Sequence, residues 1–359
     1  MKIINVVGAR PNYMKVAPIH DRLRENPAFD VKLVHTGQHY DENMSKIFFD
    51  ELQMPKPDYY LEVKGGTHAR QTALIMERFE DVLFEEKPDY ILVAGDVNST
   101  IACALTAAKL HIKIAHLEAG LRSFDREMPE EINRVLTDQI SDLCLLPSED
   151  ARENLLNEGI AEDKIFFVGN AMIDTLDKFL PRIKNKIEIL ERHNLIPNQY
   201  ALLTLHRPSN VDNIKVFNEI IAAIKIISTD IDVVFSAHPR TRDLLNRNKL
   251  DVGNIKIIEP LGYIDFLKLQ SEAALVLTDS GGLQEETTCL NVPCLTLRKN
   301  TERPITISAG TNRLVGTNKE DIILATNHVL KNPPQTKARP KFWDGKTALR
   351  VEKIFSQLS

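Results

Sequence analysis

Three carboxylates in the first half of the chain stand where a proton could be moved. Asp96 ends the run YILVAGD, Glu118 lies in HLEAGLR, and Glu130 follows Pro129. Each also has an ordinary account. Asp96 serves as a turn residue, Glu118 as an ion-pair partner of Arg122, and Glu130 as a first-turn acid paired with Arg134 at i+4. Gathered at one sheet edge they would shift one another's pKa values, which general acid–base work requires. Other residues suit an anion. GARPNYMK brings Arg10, a planar fork for phosphate or simply a solvated loop residue, and Lys15. LTDSGGLQEE puts Ser280, Gly281 and Gly282 where a helix begins, so that bare N–H groups and the helix dipole would draw a phosphate. Glu285 and Glu286 follow a turn later, where a carboxylate could accept both hydroxyls of a ribose or merely sit in a first turn. His206 and His238 each close an apolar run, as donors to an anion or as ordinary loop histidines. LRKNTERP, with Arg298, Glu302 and Arg303, reads equally as the wall of a nucleotide site or as a solvated loop.

These residues need a frame of buried strands. KIINVVG, VKLVHTG, YILVAGD, KIAHLEAG and KIFFVGN read as strands, with helices over 14–24, 67–86, 100–109 and 129–145. The second half repeats the pattern with YALLTLH, DVVFSAH, NIKIIEP, LVLTDSG, VPCLTLR and NRLVG, and a helix over 216–227. Strand–helix alternation predicts parallel sheets covered on both faces. The expected fold is α/β: two doubly wound, Rossmann-like domains at 1–170 and 171–340, with a linker near 170–181. An amphipathic helix over 341–359 closes the second domain or packs back on the first. Ligands in such folds bind outside the carboxyl ends of the strands, here in an expected interdomain cleft.

The bulk properties narrow the classes. A net charge of -5 over 359 residues gives no general attraction to nucleic acid or an anionic membrane. Cys103, Cys144, Cys289 and Cys294 form no CxxC pair, which fits buried reduced thiols and a cytoplasmic protein. The apolar run at the N-terminus is too short for a signal peptide, and none approaches a membrane span. GARPN carries a single glycine, so the GxGxxG fingerprint of NAD or FAD sites is missing and no cofactor is expected. No spacing suits a metal site.

As a set, GARPNYMK, GDVNST, HLEAGLR, MPEEINR, LHRPSN, HPRTR, LTDSGGLQEE and LRKNTERP resemble the non-hydrolysing UDP-N-acetylglucosamine 2-epimerases, in order and from the first strand to about Gly316. The resemblance implies a GT-B fold and interconversion of UDP-N-acetylglucosamine with UDP-N-acetylmannosamine. The implied route is anti elimination of UDP to 2-acetamidoglucal, then syn re-addition. It implies that Arg10, His206, Ser280, Gly281 and Gly282 hold the diphosphate, Glu286 the ribose, and that Phe266 stacks on uracil. It also implies that Asp96, Glu118 and Glu130, with Lys15 and His206, serve proton transfer around the sugar, with Arg303 lining the cleft. Within that set the resemblance points to Asp96 or Glu118 as the base at C2. A homodimer is implied too. An allosteric site for a second substrate molecule would use Gln38 and His39, with Tyr40 where the family has Arg, and Arg70, Gln71 and Thr72.

Ala9 and Asn12 depart from the family's GTRPE, whereas Pro11 favours the non-hydrolysing branch. Many members carry a second Arg and a Glu in the loop that here reads Arg207-Pro208-Ser209-Asn210. The alternatives are a 2-epimerase of a deoxy or uronic 2-acetamido sugar, a hydrolysing epimerase releasing N-acetylmannosamine, a GT-B glycosyltransferase, and a non-catalytic UDP-sugar sensor.

Overall fold

The computed structural model describes residues 1–37, 56–333 and 338–359. They form two compact units, Met1–Lys178 with Lys341–Ser359, and Phe179–Pro340. In the first unit β1 (Lys2–Val7), β2 (Asp30–His35), β3 (Tyr59–Tyr60), β4 (Tyr90–Ala94), β5 (Lys113–Leu117), β6 (Leu143–Leu146) and β7 (Ile165–Phe167) make one sheet in the order β3-β2-β1-β4-β5-β6-β7. All its neighbours run parallel. In the second, β8 (Tyr200–Thr204), β9 (Asp232–Ser236), β10 (Lys256–Ile258), β11 (Leu275–Thr278), β12 (Cys294–Thr296) and β13 (Asn312–Leu314) are likewise parallel, in the order β10-β9-β8-β11-β12-β13. Both units are thus doubly wound α/β sheets, as expected.

Helices cover both faces of each sheet, which is why the central strands are continuous apolar runs. Residues 90–94 of β4 are buried throughout. In each unit the winding reverses once, between β1 and β4 and between β8 and β11. Loops leaving adjacent strands diverge there and open a crevice at their carboxyl ends.

Several local expectations shift. The first helix runs Arg10–Glu25 rather than from residue 14, because Pro11 sits in the first turn, where its missing N–H costs nothing. The helix opening at Pro129 ends at Gln139, not at 145, and β6 takes Leu143–Leu146. The segment near 170–181, expected as a linker, lies within the helix Ala171–Ile183.

The C-terminal helix Thr347–Leu358 belongs to the first unit. The buried Asp174 carboxylate accepts the N–H groups of Thr347 and Ala348 at 3.0 and 2.8 Å, satisfying amides that no helical carbonyl can reach. Phe355 meets the rings of Phe29 and Tyr90 edge-on, and the fully buried Trp343 donates to the Pro147 carbonyl at 2.9 Å. The four cysteines are free and buried. Among the described residues no helix is long and apolar enough to cross a membrane.

Candidate functional site

In the first unit the crevice is built where β1, β4 and β5 end. Gly8 leaves β1 under the hydroxyls of Thr36 and Ser99, which hydrogen-bond at 2.7 Å, and a Cβ there would collide with both. Asn12 ties the turn together: its Oδ1 accepts the Ala9 N–H at 3.1 Å, and its amide donates to the Ala94 carbonyl at the end of β4. One turn later on the same helix, Lys15 is buried and ion-paired with Glu118. Glu118 follows β5 with φ of 73°, a left-handed conformation unusual for glutamate and the kind of local strain found at functional sites. The register sets Ala94 beside Leu117, so Gly95 and Glu118 leave adjacent strands together. Gly95, at φ +67°, leaves room for the pair: a Cβ there would lie 3.3 Å from Glu118 Oε2 and 3.5 Å from Lys15 Nζ.

Asp96 is partly exposed and paired with the buried Arg134, which also pairs with Glu131. Glu131 in turn accepts from the Ser123 N–H at 3.0 Å, the Ser123 hydroxyl at 2.9 Å and the Phe124 N–H at 2.8 Å. The ordinary pairings considered for these acids are therefore replaced. Arg134 serves Glu131 and Asp96, not Glu130. Arg122 serves Asp138 and Glu158, not Glu118. Glu130, partly buried in the first turn of its helix, has no hydrogen-bond or ion-pair partner among the described residues. Gln71 is buried and accepts from Asn98 at 2.8 Å, whereas Arg70 is exposed. Gln38 and His39 lie outside the described residues. Of Arg10, the structure describes the backbone, at the start of its helix.

The second unit repeats the geometry with paired acids and bases. β8 and β11 run in register from Leu275↔Ala201 to Thr278↔Thr204, which brings His206 and Ser280 out side by side. Asp279, fully buried, accepts from the backbone N–H of Arg207 at 3.0 Å and from Asn210 Nδ2 at 3.1 Å. It also meets His206 Nδ1 at 2.8 Å, while the His206 side chain is 57% exposed. Burial alone would raise the Asp279 carboxyl. The neighbouring His206 and the backbone N–H groups outweigh it and hold the carboxyl below its usual range. The pairing orients the imidazole and leaves Nε2 for a ligand.

The helix Gly281–Leu290 starts next. Ser280 is its N-cap by position, yet its hydroxyl caps no amide. A Cβ on Gly281 would lie 2.8 Å from Cζ of Arg303, so glycine is what lets that guanidinium lie against the helix start. Arg303 Nε meets Glu285 at 2.9 Å. Glu302, fully buried, takes both arms of Arg298 at 2.9 and 2.8 Å, and also faces Arg207 and Arg303. Burial would raise its carboxyl, but Arg298, Arg207 and Arg303 hold it well below the usual range. LRKNTERP is accordingly a buried ionic cluster and not a solvated loop. Tyr263 donates to Glu286 at 2.9 Å, and Phe266, on the same helix, is partly buried. His238 is spent locally, its Nδ1 accepting the Arg240 N–H at 3.3 Å as a helix cap.

The first crevice thus gathers Asp96, Glu118 and Glu130 with Lys15, whereas the second interleaves His206, Arg207, Arg298 and Arg303 with Asp279, Glu285, Glu286 and Glu302. Among the described residues no group of His, Cys, Asp and Glu could hold a metal ion. The buried pair His116–Asp138 behind β5 went unpredicted: its members lie 22 residues apart, inside an apolar run and near a helix end.

A family model described as UDP-N-acetylglucosamine 2-epimerase matches residues 21–356. A UDP-N-acetylglucosamine 2-epimerase of Methanocaldococcus jannaschii is 48% identical over 369 residues, covering 99% of each chain. A UDP-2,3-diacetamido-2,3-dideoxy-D-glucuronate 2-epimerase of Pseudomonas aeruginosa is 43% identical over 326 residues, covering 90% of each. The crystal structure of the Methanocaldococcus jannaschii UDP-GlcNAc 2-epimerase in complex with UDP-GlcNAc and UDP superposes with a TM-score of 0.92 at 46% identity, over 99% of this chain and 100% of that one. Fold, length and sequence agree along the whole chain, which belongs to the UDP-N-acetylglucosamine 2-epimerase family of isomerases.

Proposed function

We propose that this protein interconverts UDP-N-acetylglucosamine and UDP-N-acetylmannosamine without releasing free sugar. The observation that carries the reading is the buried Lys15–Glu118 pair, with Glu118 held at positive φ beside Asp96. The C2 proton is not next to a carbonyl, so abstraction must be coupled to loss of a good leaving group. A carboxylate, Glu118 or Asp96, takes the C2 proton while the C1–O bond breaks and its electron pair leaves with UDP. Re-addition of the UDP oxygen at C1, with a proton delivered to the other face of C2, completes the epimerisation. His206, Arg10, the Ser280 hydroxyl and the amides at Gly281 and Gly282 stabilise the departing diphosphate, with Arg303 against the same helix start. Glu286 takes the ribose and Phe266 the uracil. The Asp279 anchor beneath His206 supports its role as a donor to the leaving group.

A second reading, a 2-epimerase of a 2,3-diacetamido glucuronate, is favoured by the 43% identity to the Pseudomonas aeruginosa enzyme. We place the chain in the cytoplasm, where its buried free thiols stay reduced. We take it as a homodimer, and assign Gln38, His39, Arg70 and Gln71 to an activating site.

Proton NMR of the protein with UDP-N-acetylglucosamine in deuterated water tests the reading. Formation of UDP-N-acetylmannosamine carrying deuterium at C2, without free sugar, is expected. Free N-acetylmannosamine plus UDP would move the protein to the hydrolysing reaction. No exchange there, with exchange in the diacetamido glucuronate, would establish the second reading.

A further inference from the structure

His116 and Asp138 touch none of the carboxylates Asp96, Glu118 and Glu130, yet they engage all three segments that carry them. His116, on β5, is fully buried with both ring nitrogens against acceptors: Nε2 at 2.7 Å from the Gly95 carbonyl and Nδ1 at 2.6 Å from Asp138 Oδ1. Gly95 directly precedes Asp96. The other oxygen of Asp138 accepts the N–H of Gly120, two residues past Glu118, at 3.0 Å, and lies 2.7 Å from Arg122. Asp138 itself lies in the last turn of the helix Pro129–Gln139, whose first turn holds Glu130. Both neighbours are hydrogen-bond acceptors, so a ring N–H on either side has its partner in place. Arg122, buried against Asp138, is also doubly bonded to the partly exposed Glu158 at 2.7 and 2.6 Å. Burial favours the neutral form of Asp138, but His116 and Arg122 outweigh it and keep its carboxyl below the usual range.

We propose that His116 and Asp138 are positioning residues for the proton-transfer step. They fix the separations among Asp96, Glu118 and Glu130 by clamping the Gly95 carbonyl, the Gly120 amide and the helix Pro129–Gln139 to one another. This inference rests on the catalytic reading of those carboxylates. The clamp acts on geometry at the sugar and leaves the UDP-binding residues alone, so its loss appears in kcat and not in KM. A displacement of about 1 Å between reacting groups costs on the order of a hundredfold.

The test compares wild type, His116→Phe and His116→Gln for kcat, KM for UDP-N-acetylglucosamine and affinity for UDP. Phenylalanine fills the space and donates to neither acceptor, and kcat is expected to fall about a hundredfold with KM and UDP affinity within about twofold. Glutamine keeps an N–H for the Gly95 carbonyl and is expected to recover about a tenfold share of that loss. If His116→Phe does not fold, Asp138→Asn takes its place, with a kcat loss at unchanged KM again expected. Variants that match wild-type kcat, or that raise KM with kcat intact, would overturn the positioning role. A wild-type protein that fails to turn over the sugar nucleotide would instead remove the catalytic reading, and this inference with it.

Discussion

Replacing Asp279 with asparagine changes one atom and reaches both stability and ligand binding. The carboxylate is fully buried, with Oδ2 accepting from the Arg207 N–H and Asn210, and Oδ1 facing His206 Nδ1 at 2.8 Å. An amide keeps its oxygen at the Oδ2 position and so must turn its NH2 toward His206 Nδ1. The imidazole answers by carrying its proton on Nε2 and accepting at Nδ1, so the ring stays in place but loses the carboxylate behind it. About one charge-assisted hydrogen bond, on the order of 1.5–3 kcal/mol, is lost from the second unit. On the ligand side, an imidazole without a carboxylate behind it is a weaker donor to the diphosphate proposed to lie there. If that difference is about 1.4 kcal/mol, affinity for UDP drops about tenfold. Calorimetric titration with UDP and a thermal melt of Asp279→Asn read the two effects separately. A variant with wild-type UDP affinity and an unchanged melt would refute the claim that Asp279 holds and orients His206.

Three further outcomes are expected. Gly281→Ala places a methyl against the Arg303 guanidinium, so UDP should bind about tenfold more weakly while the melt stays near wild type; unchanged UDP affinity would dissociate Arg303 from the anion site. Asp174→Ala strips the C-terminal helix of the acceptor for two amides and should lower stability by about 1–2 kcal/mol, read as a lower urea midpoint at constant slope. The carboxyls of Asp138, Asp279 and Glu302 are all held low, so the folded protein binds these protons more weakly than the unfolded chain. Their stabilisation is complete above ordinary carboxylate values of about 4 and is lost as the pH falls below them; burial also holds the imidazoles of His20 and His35 down to about 4, so their contribution is lost between about pH 6.5 and 4, and urea midpoints should fall from about pH 7 to 5 and again to 3.

The strands were the most legible elements, because sheets buried on both faces demand unbroken apolar runs such as residues 90–94. Boundaries were harder where one rule had two readings. Pro11 punctuates a loop, yet it is equally at home in a first helical turn. Around residue 140 no Gly or Pro marks the change from helix to β6, and the two ran together. In the site, residue types at strand ends were readable, but their partners were not. Local spacing proposed Arg122 for Glu118, whereas the fold supplies Lys15 from 103 residues away. Spacing likewise offered Glu130 to Arg134, while the helix geometry gave it Glu131 and the fold gave it Asp96. The His116–Asp138 clamp had no signal at all, since a histidine inside an apolar strand looks like any buried residue until the topology sets a carboxylate beside it.

The chain leaves the first unit after Lys178 and returns at Lys341, so the second unit is an insertion with its own uninterrupted stretch of sequence. Order of synthesis then runs against order in the chain. Residues 179–340 can complete their sheet on the ribosome while the first unit still lacks Trp343 and the helix bearing Phe355. The unit that opens first in sequence is therefore closed by a segment made after its neighbour, and cutting the helix that bears Phe355 should wound the first unit while sparing the second.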